Sequence, residues 1–229
     1  NSQNSPSVAH LGSGKFVVTW VSHAQGSDQW DGVYAQRFKA DGTPEYKADG
    51  TTPDEFRVNT HTTDYQTNPV VAHLGSGKFV VAYQSQNQVL ASSSNDIYVK
   101  LYKADGTQEG DEFLVNNNTE SGQTDASVAV LSNGKIVVTW QSGSGDGSSW
   151  GVYAQILTAN GVKEGGEFLV NTYQTSAQDD TSVAALDAGK FVIAWDSHGQ
   201  DGSGQGVYAQ LYAADGTKDG SEFLVNTET

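Results

Sequence analysis

The groups able to do chemistry in these 229 residues are carboxylates, side-chain amides, tryptophans and five histidines. Cysteine is absent, which removes thiolate catalysis, thiolate metal sites and disulfides from consideration. The histidines show no metal-ligand spacing such as H-x-x-x-H; His10 resembles His73 in context and His23 resembles His198, and each reads as a hydrogen-bonding side chain. Gly143–Ser148 is glycine-rich but has no lysine and no following helix, so it is not a phosphate cradle. No G-x-S-x-G element is present. The Asp-Gly pairs at Asp41, Asp105 and Asp215 stop short of the D-x-[DN]-x-[DN]-G calcium loop and read as hairpin turns.

Two groups of residues remain. The first is Asp28, Trp30 and Asp31, with Asp146 and Trp150, and with His198 and Asp201. Aromatic faces beside oxygen acceptors stack on sugars and hydrogen-bond them. The competing reading of Trp30 and Trp150 is packing against a neighbouring unit. The second is Asn68, Asp125 and Asp180, each two residues after a glutamine (Gln66, Gln123, Gln178). A ring of such oxygens suits a hard cation such as Ca²⁺; the competing reading is a set of side chains tying loops to backbone. Acids are plentiful, but the sequence singles out no carboxylate pair of the glycosidase kind.

These residues sit in a repeat. An F-x-V-N segment ends at Asn59, Asn116, Asn171 and Asn226, in steps of 57, 55 and 55 residues, each copy preceded by a glutamate (Glu55, Glu112, Glu167, Glu222). An aromatic recurs at Trp20, Tyr83, Trp140 and Trp195, and L-x-x-G-K at Leu11, Leu74, Leu131 and Leu186. Y-A-Q recurs at Tyr34, Tyr153 and Tyr208, with Tyr98-Val99-Lys100 as the deviant copy. The last copy reads as four strands: Ser182–Leu186 (a), Lys190–Trp195 (b), Val207–Ala213 (c) and Glu222–Asn226 (d). Strand b is apolar on both faces, the pattern of a sheet covered on both sides. No long 3.6-residue apolar stripe signals a helix.

Repeats of four strands that need neighbours on both faces describe propeller blades. The expectation is an all-β, four-bladed β-propeller, one domain over 1–229 built from repeats 1–59, 60–116, 117–171 and 172–226. The two chain ends match in phase, which predicts a closed ring. The b–c loops (21–32, 84–96, 141–151 and 196–206) and the d–a connections share one face. The b–c loops vary most, so recognition is expected there.

With 27 acidic and 12 basic residues the net charge is −15, which opposes binding to nucleic acid or anionic lipid. No apolar run is long enough to span a bilayer. The start at Asn1 and the absence of Met read as a processed protein or an excised fragment.

The segments Gly14–Trp20 (GKFVVTW), Gly32–Gln36 (GVYAQ), Ala40–Gly42 (ADG) and Glu167–Thr172 (EFLVNT) resemble a repeat of large bacterial exoproteins of the RTX and adhesin type. The resemblance covers essentially the whole chain and implies a secreted or cell-surface protein. Calcium-binding repeats often occur elsewhere in such proteins, but their nonapeptide G-G-x-G-x-D is absent here. The expected function is therefore a non-catalytic module that recognises a glycan or surface protein through the b–c loops, with Ca²⁺ as structural support. The alternatives are a structural spacer and a carboxylate-dependent glycoside hydrolase.

Overall fold

The computed structural model describes residues 2–25, 29–47, 49–89, 94–143, 147 and 149–228. Sixteen strands form four antiparallel four-stranded sheets, each made of four consecutive strands. Blade 1 comprises β1 (Gln3–Gly12), β2 (Lys15–His23), β3 (Asp31–Phe38) and β4 (Glu55–Arg57). Blade 2 comprises β5 (Gln66–Gly75), β6 (Lys78–Gln86), β7 (Asn95–Tyr102) and β8 (Phe113–Leu114). Blade 3 comprises β9 (Gln123–Val130), β10 (Ile136–Gly143), β11 (Trp150–Leu157) and β12 (Lys163–Leu169). Blade 4 comprises β13 (Gln178–Ala185), β14 (Phe191–His198), β15 (Gln205–Tyr212) and β16 (Phe223–Leu224). This is the expected all-β, four-bladed β-propeller. A 3₁₀ turn at Asp187–Gly189 is the one helical piece among the described residues.

The innermost strand is longer than the sequence predicts: β13 begins at Gln178, not Ser182. Pairing runs Gln178↔Ser197 and Asp179↔Asp196, then resumes at Ser182↔Ala194 after a register shift. The shift is a β-bulge, with Asp180 in the left-handed region at φ 50°. An extra residue breaks the two-residue alternation by which a strand is recognised, so the bulged half of the strand reads as loop.

Blades pack front to back. Each blade offers an aliphatic face to its successor, which answers with an aromatic face. Between blades 2 and 3, Val80, Ala82, Ile97, Val99 and Val115 meet Ile136, Val138 and Trp140. Between blades 1 and 2, Val17, Val33, Ala35 and Val58 meet Phe79, Val81 and Tyr83. Between blades 3 and 4, Val137, Val152, Ala154 and Val170 meet Phe191, Ile193 and Trp195. Each large side chain withdrawn from water in this way stabilises by about 1.5–3 kcal/mol. Carboxylates lock the same junctions: Glu112, Glu167 and Glu222 accept the backbone N–H of Thr60, Asn117 and Thr172 in the preceding blade, at 2.7, 2.7 and 2.8 Å. The recurrent asparagine fixes each blade internally. Asn59, Asn116, Asn171 and Asn226 accept the N–H of Val33, Ile97, Val152 and Val207 at 2.7–2.8 Å.

Closure of the ring is not made. β1 lies against β5, β5 against β9 and β9 against β13, but β13 does not pack along β1. Three interblade clusters exist among the described residues, and none joins blade 4 to blade 1. The outer face of each end blade is consequently wet. Val8 is 65% exposed where its counterparts Val71 and Val183 are 8%, and Val225 is 52% exposed where Val58, Val115 and Val170 are 0%.

Blade 2 carries an internal acid that the other blades lack. Asp96 stands where blades 1, 3 and 4 have Gly32, Gly151 and Gly206. It is fully buried. Its Oδ1 accepts the Asn116 amide at 2.8 Å, while Oδ2 has no hydrogen-bond partner. Burial pushes its pKa up to about 6. A folded-state pKa above the unfolded value means that folding favours the protonated acid, so this group's contribution to stability is lost as pH rises from about 4 through about 6. Asp96→Asn is expected to remove that downward slope and to melt above the wild type at pH 8, as read by calorimetry across this range.

Candidate functional site at the channel mouth

The bulge recurs at the same place in every blade. Ser5, Asn68, Asp125 and Asp180 all have φ between 49° and 52°. Non-glycine residues held there cost about 1–3 kcal/mol each and cluster where a side chain must be re-aimed. Together with the residues that follow them they line a cavity of about 410 Å³ on the channel axis. The ends of the b strands and the b–c loops border the same mouth, as the strand order requires.

Blade 3 shows how a rim position is satisfied. Asp125 Oδ2 accepts the Gln141 amide at 2.8 Å, and Asp125 Oδ1 accepts the Asn68 amide at 3.1 Å. Gln141 also accepts the backbone N–H of Asp180 at 3.0 Å, tying blade 3 to blade 4. In blade 4 the place of Gln141 is taken by Asp196, and that of Thr124 by Asp179. An amide donor is thus replaced by a second and a third carboxylate. One oxygen from each of Asp179, Asp180 and Asp196 lies within 4.8 Å of the others. Burial is the main cause that raises the Asp196 pKa, with the charge of Asp180 adding to it. Burial likewise raises Asp179, reinforced by Asp180 and Asp196 and opposed by His198. Asp180 itself is exposed to the cavity. Carboxylates this close favour sharing a proton.

The residues expected from the sequence divide as follows. Asp180 joins the acidic cluster. Asn68 and Asp125 bond to each other one blade away. His198 borders the cluster, its Nε2 3.6 Å from Asp179 Oδ1 and 2.8 Å from the Gln205 amide. Asp201 orders its own loop by accepting the N–H of Ser203 at 3.0 Å. Asp31 pairs with His23 at 2.6 Å. Trp30 packs edge-on to Tyr65 with ring centroids 5.1 Å apart. Trp150 is half-buried over Gly122 and Gly143. Asp28 and Asp146 lie outside the described residues. Asp179 and Asp196 are the functional candidates that the sequence reading missed; the signal was an acid at both ends of one strand pair, visible only with the register in hand. The cluster offers three carboxylate oxygens of the six to eight that Ca²⁺ takes.

No protein-family model matches the sequence, and no curated protein matches it. Solved structures do match in fold. An endo-arabinase from Bacteroides thetaiotaomicron superposes with a TM-score of 0.55 at 13% identity, over 97% of this chain and 81% of that one. The α-L-arabinanase of Penicillium chrysogenum complexed with arabinobiose gives 0.62 at 17% identity, over 98% and 67%. The α-L-arabinofuranosidase of Fusarium graminearum complexed with an iminosugar inhibitor gives 0.63 at 16%, over 96% and 65%. At these identities the likeness is one of fold.

These matches correct the expectation of a non-catalytic module and of no enzyme activity. The three structures named above are glycoside hydrolases. The acids of the cluster are brought together by strand pairing beside a bulge rather than by a contiguous motif, so no carboxylate pair stands out in the sequence.

The left-handed backbone at the rim sets a test of this geometry. Asp180→Val is expected to destabilise by about 1–3 kcal/mol, because a β-branched residue cannot relax at φ 50°. Asp180→Asn and Asp180→Gly should leave the urea midpoint nearly unchanged.

Proposed function

We propose that the channel mouth hydrolyses glycosidic bonds with the blade 4 carboxylates. The observation that carries this reading is the cluster of Asp179, Asp180 and Asp196, with oxygens within 4.8 Å, at the edge of an axial cavity. Separations of about 5–5.5 Å between carboxyl groups belong to the double-displacement class. Asp180, exposed to the cavity, acts as nucleophile: its oxygen bonds to the anomeric carbon as the glycosidic C–O bond breaks. Asp196, whose pKa is raised by burial and by the charge of Asp180, is the acid that gives its proton to the departing oxygen. Water then attacks the glycosyl ester, Asp196 takes the water's proton, and Asp180 is released. Asp179 completes the acidic cluster beside this pair.

The substrate class follows from charge and fold. A net charge of −15 disfavours polyanionic glycans, so a neutral glycan is the substrate. Fold relatives crystallised with arabinobiose and an iminosugar support arabinose-containing chains as the first to try. The acidic, cysteine-free composition and the repeat type support a secreted bacterial exoprotein as the setting.

The test is a panel of aryl glycosides of neutral sugars, together with linear arabinan, using the wild-type chain, Asp180→Asn and Asp196→Asn. Turnover with retention at the anomeric carbon is expected, and each variant should lose about 10²–10⁴-fold or more in kcat while melting like the wild type. A well-folded wild type that turns over none of these substrates, or full activity in both variants, would end the proposal.

A further inference from the structure

The two wet sheet faces of the end blades are complementary halves of the junction that occurs three times inside the molecule. Blade 4 presents Val192, Ala194, Val207, Leu211 and Val225, the positions that in blade 2 are Val80, Ala82, Ile97, Leu101 and Val115. Those blade 2 residues are 0–2% exposed, whereas Val207 is 38% and Val225 52% exposed. Blade 1 presents Val8, Phe16, Val18 and Trp20, the positions that in blade 4 are Val183, Phe191, Ile193 and Trp195. Phe191, Ile193 and Trp195 are 0–1% exposed, whereas Phe16, Val18 and Trp20 are only half-buried and Val8 is 65% exposed.

A face of this kind needs a cover. We infer that the wedge between blade 4 and blade 1 is the seat of a fifth blade of the same repeat, whose aromatic face covers blade 4 and whose aliphatic face covers blade 1. Three observations select this occupant. The two faces have opposite character, so one repeat inserted between them makes two junctions of the kind already present three times. The four blades superpose on a chain that continues beyond them: 97% of this chain lies on 81% of the endo-arabinase. Finally, β13 does not pack along β1, although every internal pair of innermost strands packs together. The fifth blade also adds a rim residue between Asp180 and Ser5, closing the side of the cavity next to the acidic cluster. The inference does not require the hydrolytic reading.

The chain has no cysteine, so single thiols report on each face. Val8→Cys and Val225→Cys are made in the 229-residue chain and in a five-repeat chain that carries a second copy of residues 117–171 after Asn226. Thiol modification rates, melting temperature and sedimentation are then compared. Both thiols are expected to react freely in the monomeric four-repeat chain, and to react slower by roughly tenfold or more in the five-repeat chain, with a higher melting temperature. A second five-repeat chain carrying residues 60–116 in the same place guards against one poorly folding fusion. Protection already present in the monomeric 229-residue chain would overturn the inference in favour of blade 4 closing onto blade 1. Protection that appears only with concentration-dependent dimerisation would overturn it in favour of a second copy. Thiols that stay reactive in folded five-repeat chains would overturn it as well. None of these readouts depends on glycoside turnover.

Discussion

A four-stranded antiparallel sheet that is apolar on both faces cannot be stable alone, and this governs the molecule. Its solution is a directional contact, aliphatic face onto aromatic face, which one repeat offers to the next. Val80, Ala82 and Ile97 against Ile136, Val138 and Trp140 show the contact at full burial. Because the two faces differ, the junction has a polarity, and the array can only be extended in one sense. Stability is then carried by nearest-neighbour junctions, as in other repeat proteins. The glutamate that spans each junction adds a charge-assisted hydrogen bond at the place where the chain passes between blades.

The repeat made the architecture legible. Glu–Phe before the V-N pair, the Trp or Tyr in strand b and the L-x-x-G-K turn each occupy one place in the blade, so the strand count and order followed from spacing. What could not be read was register. Asp179 and Asp196 are seventeen positions apart in the sequence and face each other only because β13 and β14 pair as they do. Asp180 would point away from both in a regular strand; the bulge turns it. Asp180 stands out by its place in the repeat, whereas the two acids beside it do not. The tryptophans stand out by type, and the structure adds their neighbours: Trp30 packs on Tyr65, and Trp150 lies over Gly122 and Gly143. Matching chain ends gave the phase of the repeat correctly but carried no information about curvature, and curvature decides how many blades a ring holds.

Electrostatics distinguishes the four rim positions on an otherwise uniform frame. Going round from blade 1 the bulged residue is Ser5, Asn68, Asp125 and Asp180, and the residue before it faces Val21, Gln84, Gln141 and Asp196 across the strand pair. Blade 3 pairs acid with amide and is satisfied. Blade 4 sets acid beside acid, and burial together with the neighbouring charge raises the pKa of both Asp179 and Asp196. The same backbone thus supports an acid–amide hydrogen bond in one blade and a cluster of acids in the next, with two side chains making the difference.

The recurrent left-handed residue has a consequence for how such a protein changes over generations. Serine, asparagine and aspartate already occupy this position in a single chain, all with φ within a few degrees of one another. The backbone there is held by the flanking ladder, so the side chain is a replaceable tip on a fixed mount. Duplication of a repeat copies the mount, and a single codon change in one copy alters the tip while its sisters keep the ring intact. New chemistry at the mouth can therefore arise one blade at a time, with no loss of the scaffold during the transition.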